Sequence, residues 1–453
     1  MAPFVKKALK KNKDGAQRKN LYKIAEGALN RYKKYRLKKI IRYSYNNSPY
    51  YNNIFKKNNL KPGDIKSFFD LVKIPQTDGN DLQEKPEDFF ATDPKNFVKV
   101  FTTSGTTGKP KKAYFTKKDI EKIVESAAMG AKLMFGITRE DVVRLTFEVG
   151  YGQEIWGNRY CLDKAYGEIV GALTVSTGRL SVDEELNMIK EYHPTVFGDV
   201  TSRINFLTKA FSKKTDLKSL GIKKFLIGAE PTPKKIRENI EDSWGADAFI
   251  GYGLTEIGLL MASECEYKNG MHLNETNFFT EVVDPKTGEQ LEDGEIGELV
   301  FTTFNREGMP FIRYNSHDLG RIIDDHCECG LPLKRIEIKG RSDDLKTIGS
   351  GDNVYTKMFD EKILIIPEII DYRVVFERKN SKDILTITVE SNKINDNIKN
   401  KVLESVLSMP EINNGYNNSK TIAKPIVILV KPGSFKRESI KTKRLIDKRK
   451  LYD

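Results

Sequence analysis

A chain of 453 residues is too long for one compact core, so two or more domains are expected, and 39% hydrophobic residues with 24 Phe and 19 Tyr are enough to build them. No run of about 18 apolar residues exists, which excludes a membrane-spanning helix, and the lysine-bearing N-terminus lacks the apolar stretch of a signal peptide. The net charge of +13 is concentrated, because residues 1–60 hold 17 lysines and arginines against Asp14 and Glu26, which leaves −2 for the remainder.

Four cysteines, two of them in Cys327-Glu328-Cys329, are too few for a disulfide framework in so long a chain. A soluble, cytoplasmic protein is expected. Residues 1–60 read as a basic helical arm. Its Lys6 to Arg42 stretch has two readings, a solvated helical face and a weak contact with an anionic membrane surface or nucleic acid. The lysine- and asparagine-rich composition favours the first, and no specific nucleic acid is expected as a partner.

Lys61-Pro62-Gly63-Asp64 is a turn that starts a short helix, which Ile74-Pro75 stops. The apolar run Phe97 to Phe101 then reads as a strand feeding Thr102-Thr103-Ser104-Gly105-Thr106-Thr107-Gly108-Lys109-Pro110-Lys111-Lys112. Hydroxyls and glycines at a strand end offer free backbone N–H groups and short donors, the means by which proteins hold phosphate oxygens. The common P-loop, G-x-x-x-x-G-K-[ST] opening a helix, does not fit, since that frame starts at Thr103 and Lys109 is followed by Pro110. Pro110 and the pair Tyr114-Phe115 predict a second extended segment, hence a strand–loop–strand cradle. A plain hairpin would leave four threonines, a serine and three lysines in eleven residues unexplained.

Lys117 to Phe135 has helical periodicity, whereas Val142 to Phe147, Thr195 to Phe197 and Lys224 to Ile227 read as strands. The alternation predicts an α/β core with a largely parallel sheet. After residue 265 the texture changes: Phe278 to Asp284, Gly297 to Thr303, Phe311 to Arg313, Arg321 to Ile323 and Arg335 to Ile338 are short strands between Gly and Pro turns, as in a small antiparallel barrel. Gly340-Arg341-Ser342-Asp343-Asp344, with Gly349-Ser350-Gly351 behind it, is the best linker. Beyond it, strands at Tyr372 to Glu377, Leu385 to Glu390 and Ile426 to Val430 and a helix near Ile398 to Leu407 make a small α+β unit.

Three further clusters carry chemistry. Ile250-Gly251-Tyr252-Gly253-Leu254-Thr255-Glu256 follows strand-like Ala248-Phe249, at the kind of sheet end where α/β folds bind ligands. There Tyr252 can stack on a purine, Thr255 can donate to a phosphate and Glu256 can hold Mg²⁺ on phosphate oxygens. Asp318, in Gly308-Met309-Pro310-Phe311-Ile312-Arg313-Tyr314-Asn315-Ser316-His317-Asp318-Leu319, can accept hydrogen bonds from ribose hydroxyls. Lys441-Thr442-Lys443-Arg444-Leu445-Ile446-Asp447-Lys448-Arg449 reads alone as a basic tail.

Taken in this order, the clusters resemble the acyl- and aryl-adenylate-forming superfamily, and most closely its phenylacetate–CoA ligase branch. The resemblance extends from about Asn47 to Arg449. It is carried also by Ser48-Pro49-Tyr50-Tyr51, Ile65-Lys66-Ser67-Phe68, Gly228-Ala229-Glu230-Pro231, Gly297-Glu298-Leu299-Val300-Phe301-Thr302-Thr303 and Ile446-Asp447-Lys448-Arg449. It implies an enzyme that attacks the α-phosphate of ATP·Mg with a small-molecule carboxylate, releasing pyrophosphate, and passes the acyl group of the adenylate to a thiol, coenzyme A in most of the family. By matching position, Ser104, Gly105, Thr106, Thr107, Gly108 and Lys109 would hold the β- and γ-phosphates. The nucleotide site would also draw on Gly228, Ala229, Glu230, Gly251, Gly253 and Arg341, with Tyr252 on the adenine, Asp318 on the ribose, Thr255 on the α-phosphate and Glu256 on Mg²⁺. Lys441 matches the lysine of the first step, with Lys443 next in line. The implied organisation is an adenylation domain over 61–340, a hinge at 341–344 centred on Asp343, and a mobile C-terminal domain over 345–453.

Cys265, His272, Cys327 and Cys329 supply the ligand set of a structural Cys₃His zinc site, and some relatives resemble the chain in having one. Their spacing is not that of a zinc finger, so unligated cytosolic thiols are the other reading; Cys161 is expected as a small core residue. The acid pocket matches Phe147 and the phrase around Tyr151, Gly152, Gln153 and Glu154. Gln153 and Glu154 stand where relatives carry apolar residues, which points to an amino- or hydroxyl-bearing acid, because a buried polar pair left unpaired rejects a plain ring. Gly349 to Val354 departs from the family's hinge-proximal loop, which keeps two alternatives open. One is delivery to a carrier-protein thiol or to an amine or hydroxyl; the other, suggested by the arm, is a nucleotide-binding, membrane-recruited protein without turnover.

Overall fold

In the computed structural model, residues 15–103, 110–146, 157–177, 180–342, 344–435 and 444–449 are described. Strands β1 (Phe97–Thr102) and β2 (Lys112–Thr116) pair antiparallel, Thr102 opposite Lys112, so the hydroxyl-rich phrase joins two extended segments as Pro110 predicts. Helix α1 (Gly15–Asn47) precedes them and α2 (Lys117–Leu133) follows. The start of α2 is fixed by a capping box: Asp119 N donates to Thr116 Oγ1 and Thr116 N donates to Asp119 Oδ2, both at 3.1 Å. Ile120, Ile123, Val124, Ala127, Ala128 and Ala131 form its buried side, the recurrence expected of an amphipathic helix.

The main sheet is built from β3 (Val142–Leu145), β4 (Leu173–Ser176), β5 (Val196–Asp199), β6 (Lys224–Gly228), β7 (Asp247–Leu254), β8 (Gly258–Glu264), β9 (Met271–Leu273), β10 (Phe278–Val283), β11 (Gly297–Thr303), β12 (Tyr314–Ile323) and β13 (Arg335–Arg341). Its order is β10-β11-β12-β13-β9-β8-β7-β6-β5-β3-β4. From β4 to β7 the pairs are parallel, with α3 (Val182–Tyr192), α4 (Thr201–Phe211) and α5 (Lys234–Trp244) in the connections; from β7 onward they are antiparallel. The predicted α/β core is therefore present, and the strands expected as a small barrel continue the same hydrogen-bonded sheet. One expected strand is absent: Phe311 to Arg313 is irregular because Arg313 sits at φ 51°, and regular pairing resumes at Tyr314. Phe311 still meets Thr303 through backbone and hydroxyl hydrogen bonds.

At the buried end of the parallel half, Arg144 on β3 grips Glu185 on α3 with Nε–Oε1 at 3.0 Å and Nη2–Oε2 at 3.1 Å; both side chains are sealed from solvent. Removing one partner of such a pair strands a buried charge. Glu185→Gln is expected to lower unfolding free energy by about 3–5 kcal/mol, read from urea denaturation of the purified chain.

The arm helix is not detached. Leu37, Ile40 and Ile41 of α1 enter the same core as Phe278, Phe301 and Phe311. Lys33 pairs with Glu275, Arg36 donates to the Phe304 carbonyl, and Tyr32 Oη donates to the Thr276 carbonyl at 3.2 Å.

The C-terminal unit has its own core. A small hairpin of β14 (Lys346–Ile348) and β15 (Asp352–Val354) leads to a four-stranded sheet of β16 (Ile369–Lys379), β17 (Lys382–Ser391), β18 (Ile426–Val430) and β19 (Leu445–Asp447), ordered β18-β17-β16-β19. Helices α6 (Thr356–Ile363) and α7 (Asp396–Leu407) complete the α+β unit. No helix among the described residues is long and apolar enough to cross a membrane.

Candidate active site

A cavity of about 1170 Å³ opens where the C-terminal ends of β5, β6 and β7 face β12, β13 and the C-terminal unit. Its wall brings together Ala229, Glu230, Gly251, Tyr252, Gly253, Asp318 and Arg341 with Thr356, Asp371 and Arg444. Residues far apart in sequence thus share one space, and the second unit supplies part of it.

The Gly251-Tyr252-Gly253 phrase lies inside β7, which continues through it from Ala248-Phe249. A register shift between Tyr252 and Leu254 lets the strand bulge against β8. A Cβ on Gly253 would sit 2.8 Å from the Gly258 carbonyl oxygen, so only glycine permits this closeness. Tyr252 Oη donates to Asp318 Oδ2 at 2.6 Å, and Arg341 Nη1 meets Asp318 Oδ1 at 3.1 Å. Asp318 and Arg341 are direct cross-strand partners of β12 and β13, which explains the second contact. Burial first, and then the Asp318 charge, raise the Tyr252 phenol well above its usual range, so it remains a donor. Asp318 is therefore a buried carboxylate held between two donors at the cavity edge.

Thr255 and Glu256 form the β7–β8 turn, both buried, and neither is among the described residues lining the cavity. Tyr314 Oη donates to Glu256 Oε1 at 2.5 Å; Lys111 Nζ lies 3.7 Å from the same oxygen and 3.3 Å from Tyr314 Oη. Lys111 comes from the hydroxyl-rich phrase, so this cluster ties the end of that phrase to the turn. A carboxylate with one cation nearby fits a site where a divalent ion is shared with phosphate oxygens.

Glu230, after β6, accepts from Ser202 N at 2.9 Å and Ser202 Oγ at 3.0 Å, which places a carboxylate at the N-terminus of α4. The preceding Ala229 is left-handed at φ 62°, an uncommon state for a residue with a Cβ.

Cys265, His272, Cys327 and Cys329 converge, their ligand atoms all within 4.8 Å of one another and all four buried. Cys265 Sγ is 3.6 Å from Cys327 Sγ, and Cys329 Sγ is 3.3 Å from His272 Nε2. Tetrahedral thiolate zinc with Zn–S near 2.3 Å requires S–S edges of about 3.8 Å, so the donor set fits that ion in type and spacing. His272 Nδ1 lies 3.3 Å from the Leu333 carbonyl, the second hydrogen bond that orients a ligating imidazole. Cys161 stands apart in the core beside α2, its thiol pushed up to about 12 by burial.

Several contacts between the sequence phrases had no signal in any one of them. Glu298, His317 and Ser342 join β11, β12 and the linker: His317 Nδ1 is 3.3 Å from Glu298 Oε1, Ser342 Oγ donates to the same oxygen, and Asn315 Nδ2 donates to Oε2 at 2.6 Å. Burial works against ionisation of Glu298, yet the His317, Ser342 and Asn315 hydrogen bonds hold it down at about 2. On the C-terminal side, Arg444 binds Asp371 at 2.9 Å and Asp360 at 3.1 Å. The expected phosphate loop Ser104–Lys109, the acid-pocket residues Phe147, Tyr151, Gly152, Gln153 and Glu154, the hinge residue Asp343 and Lys441 lie outside the described residues.

A family profile described as AMP-binding enzyme matches residues 52–305, and one described as AMP-binding enzyme C-terminal domain matches 351–449. The phenylacetate-coenzyme A ligase of Pseudomonas putida is 32% identical over 80% of this chain and 82% of its own, and that of Aromatoleum evansii 34% identical over 79% and 80%. Among solved structures, 2-hydroxyisobutyryl-CoA ligase in the postadenylation state, in complex with 2-HIB-AMP, superposes with a TM-score of 0.79 at 22% identity, covering 91% of this chain and 88% of that one. At that identity it supports the fold alone, a large mixed sheet with a separate α+β unit.

Proposed function

Because the chain belongs to the AMP-binding enzyme family, we propose that it joins a carboxylic acid to coenzyme A through an acyl-adenylate, the reaction class named for its phenylacetate-coenzyme A ligase relatives. The acid's carboxylate oxygen attacks the α-phosphorus of ATP and pyrophosphate leaves. The thiolate of coenzyme A then attacks the acyl carbon and AMP leaves. The observation that carries this reading is Asp318, buried between Tyr252 and Arg341 at the edge of a cavity completed by the C-terminal unit.

Displacement at phosphorus relies on positioning and charge neutralisation more than on proton transfer. Asp318 accepts from the ribose hydroxyls, and the Tyr252 ring offers a stacking face while its hydroxyl keeps Asp318 oriented. Gly228, Ala229, Glu230, Gly251 and Gly253 let the nucleotide approach the backbone. Ser104 to Lys109 hold the β- and γ-phosphates, Thr255 contacts the α-phosphate and Lys441 neutralises charge in the first step. Glu256 would hold Mg²⁺, whose contribution is to neutralise phosphate charge. Cys265, His272, Cys327 and Cys329 would hold a structural Zn²⁺. The domain division is 61–340 and 345–453, hinged at 341–344 about Asp343. For residues 1–60, docking of α1 on the body favours a structural helix over membrane contact. Carrier-protein delivery is the alternative acceptor, and the second arm of the experiment below separates it from coenzyme A.

The test is acid-dependent ATP–pyrophosphate exchange over a panel of carboxylic acids, followed by thioester formation on addition of coenzyme A. Exchange without any acid dependence, or adenylate that coenzyme A does not consume, contradicts the ligase reading. Asp318→Asn removes a charge-assisted acceptor and is expected to raise KM for ATP roughly 10- to 100-fold, with a smaller effect on KM for the acid.

A further inference from the structure

Asp199 is the last residue of β5, at the C-terminal edge of the parallel sheet, and lines the cavity although it is only 6% exposed. In register it lies beside Ile227 on β6, and Gly228 pairs in turn with Gly251 on β7. It is therefore one strand, roughly 5 Å, from the β6 end of the nucleotide site and two strands, roughly 10 Å, from Gly251. Thr146, against it, immediately precedes in sequence the Phe147–Glu154 phrase proposed for the acid. None of the adenylation roles assigned above uses it.

Its hydrogen bonds leave a gap. Val200 N donates to Oδ1 at 2.7 Å, and Thr146 Oγ1 contacts Oδ2. Thr146 Oγ1 is also 3.3 Å from the Gly198 carbonyl, and one hydroxyl proton cannot serve both acceptors. A carboxylate accepts about four hydrogen bonds, and the described residues supply two. Burial pushes Asp199 up to about 7; Thr146, Val200 and Arg203 oppose the shift and Glu230 adds to it. With one donor on each oxygen, its carboxylate keeps acceptor capacity for a donor that arrives with the ligand, which an apolar ligand would leave unused.

We propose that Asp199 is a specificity-determining residue that selects carboxylic acids bearing an amino or hydroxyl substituent, which donates to its carboxylate within the cavity. This rests on the ligase reading and deepens it. It has a different footing from Gln153 and Glu154, whose polarity points the same way.

The experiment is ATP–pyrophosphate exchange by the full chain with phenylacetate and its ring-hydroxylated and ring-aminated derivatives, and with alkyl acids and their amino and hydroxyl counterparts. The expected result is a kcat/KM at least about 10-fold higher for the best donor-bearing acid than for its parent. Asp199→Val should collapse or reverse that ratio, whereas a structural role would lower both members of each pair alike. If Asp199→Val does not fold, Asp199→Asn is read instead: preference for the hydroxyl survives and preference for the amine falls. Exchange that favours unsubstituted acids, or a ratio that neither variant alters, overturns the inference and leaves the ligase reading standing. Absence of exchange with every acid overturns both.

Discussion

Replacing Lys441 by Ala is expected to lower acyl-adenylate formation roughly 100- to 1,000-fold, while thioester formation from supplied adenylate continues. In the first step negative charge accumulates between an incoming carboxylate and the α-phosphate, and a single well-placed cation is worth most there. In the second step the acyl-adenylate already exists and that cation has no task. What the fold contributes is the anchor that fixes the start of the following strand. Arg444, three residues on, is gripped by Asp360 and Asp371 at the cavity wall, and β19 pairs in parallel with β16 from Leu445 onward. Burial opposes the Arg444 charge, but the two carboxylates raise its affinity for the proton further, so the anchor stays charged. ATP–pyrophosphate exchange measures the first step, and single turnover of prepared adenylate with coenzyme A measures the second. Unchanged exchange in Lys441→Ala refutes the assignment, and the parallel Lys443→Ala variant shows whether its neighbour acts instead.

What was legible in the sequence was whatever a short window could hold. Lys117 to Phe135 was readable as a helix because its apolar residues recur at helical spacing, and it runs Lys117–Leu133. Pro110 was enough to predict a strand on each side of the hydroxyl-rich phrase, and β1 and β2 stand there. Where two distant segments settle the outcome, local reading fails. Phe311 to Arg313 has strand composition, yet the buried pair between Arg313 and Glu281, at 3.1 Å, goes with a left-handed backbone that interrupts pairing. Gly251-Tyr252-Gly253 reads as the end of a strand where glycines admit a ligand, but β7 runs on through it and the close approach of β8 is what Gly253 serves. Asp318 was visible as a candidate, whereas its orientation by Tyr252 and Arg341 depends on pairing across 66 and 23 residues. Asp199 carried no signal: one aspartate before Val200-Thr201 looks like any turn residue until β3 brings Thr146 against it.

Loss of the cysteine–histidine cluster is the other change expected to act strongly. Purified full-length protein should carry close to one zinc per chain, and Cys329→Ser should remove it and lower the melting temperature by roughly 5 °C or more. The position of the cluster gives the reason. Cys265 follows the last residue of β8, His272 lies in β9, and Cys327 and Cys329 come from the connection between β12 and β13. One ion would therefore tie together three segments, of which β9 has only three residues and meets β13 through Arg335 and Ile336. The neighbours Gly270, Met271 and Ile336 line the cavity, so the cluster backs the wall beside Tyr252 and Asp318. Weakened ATP binding should accompany zinc loss even though no zinc ligand touches the nucleotide. Cys161→Ser is the control, since that thiol lies in the core beside α2, and its zinc content should match the parent protein. A parent protein prepared with ample zinc that carries less than about a tenth of an equivalent would assign the four residues to a buried thiol cluster instead.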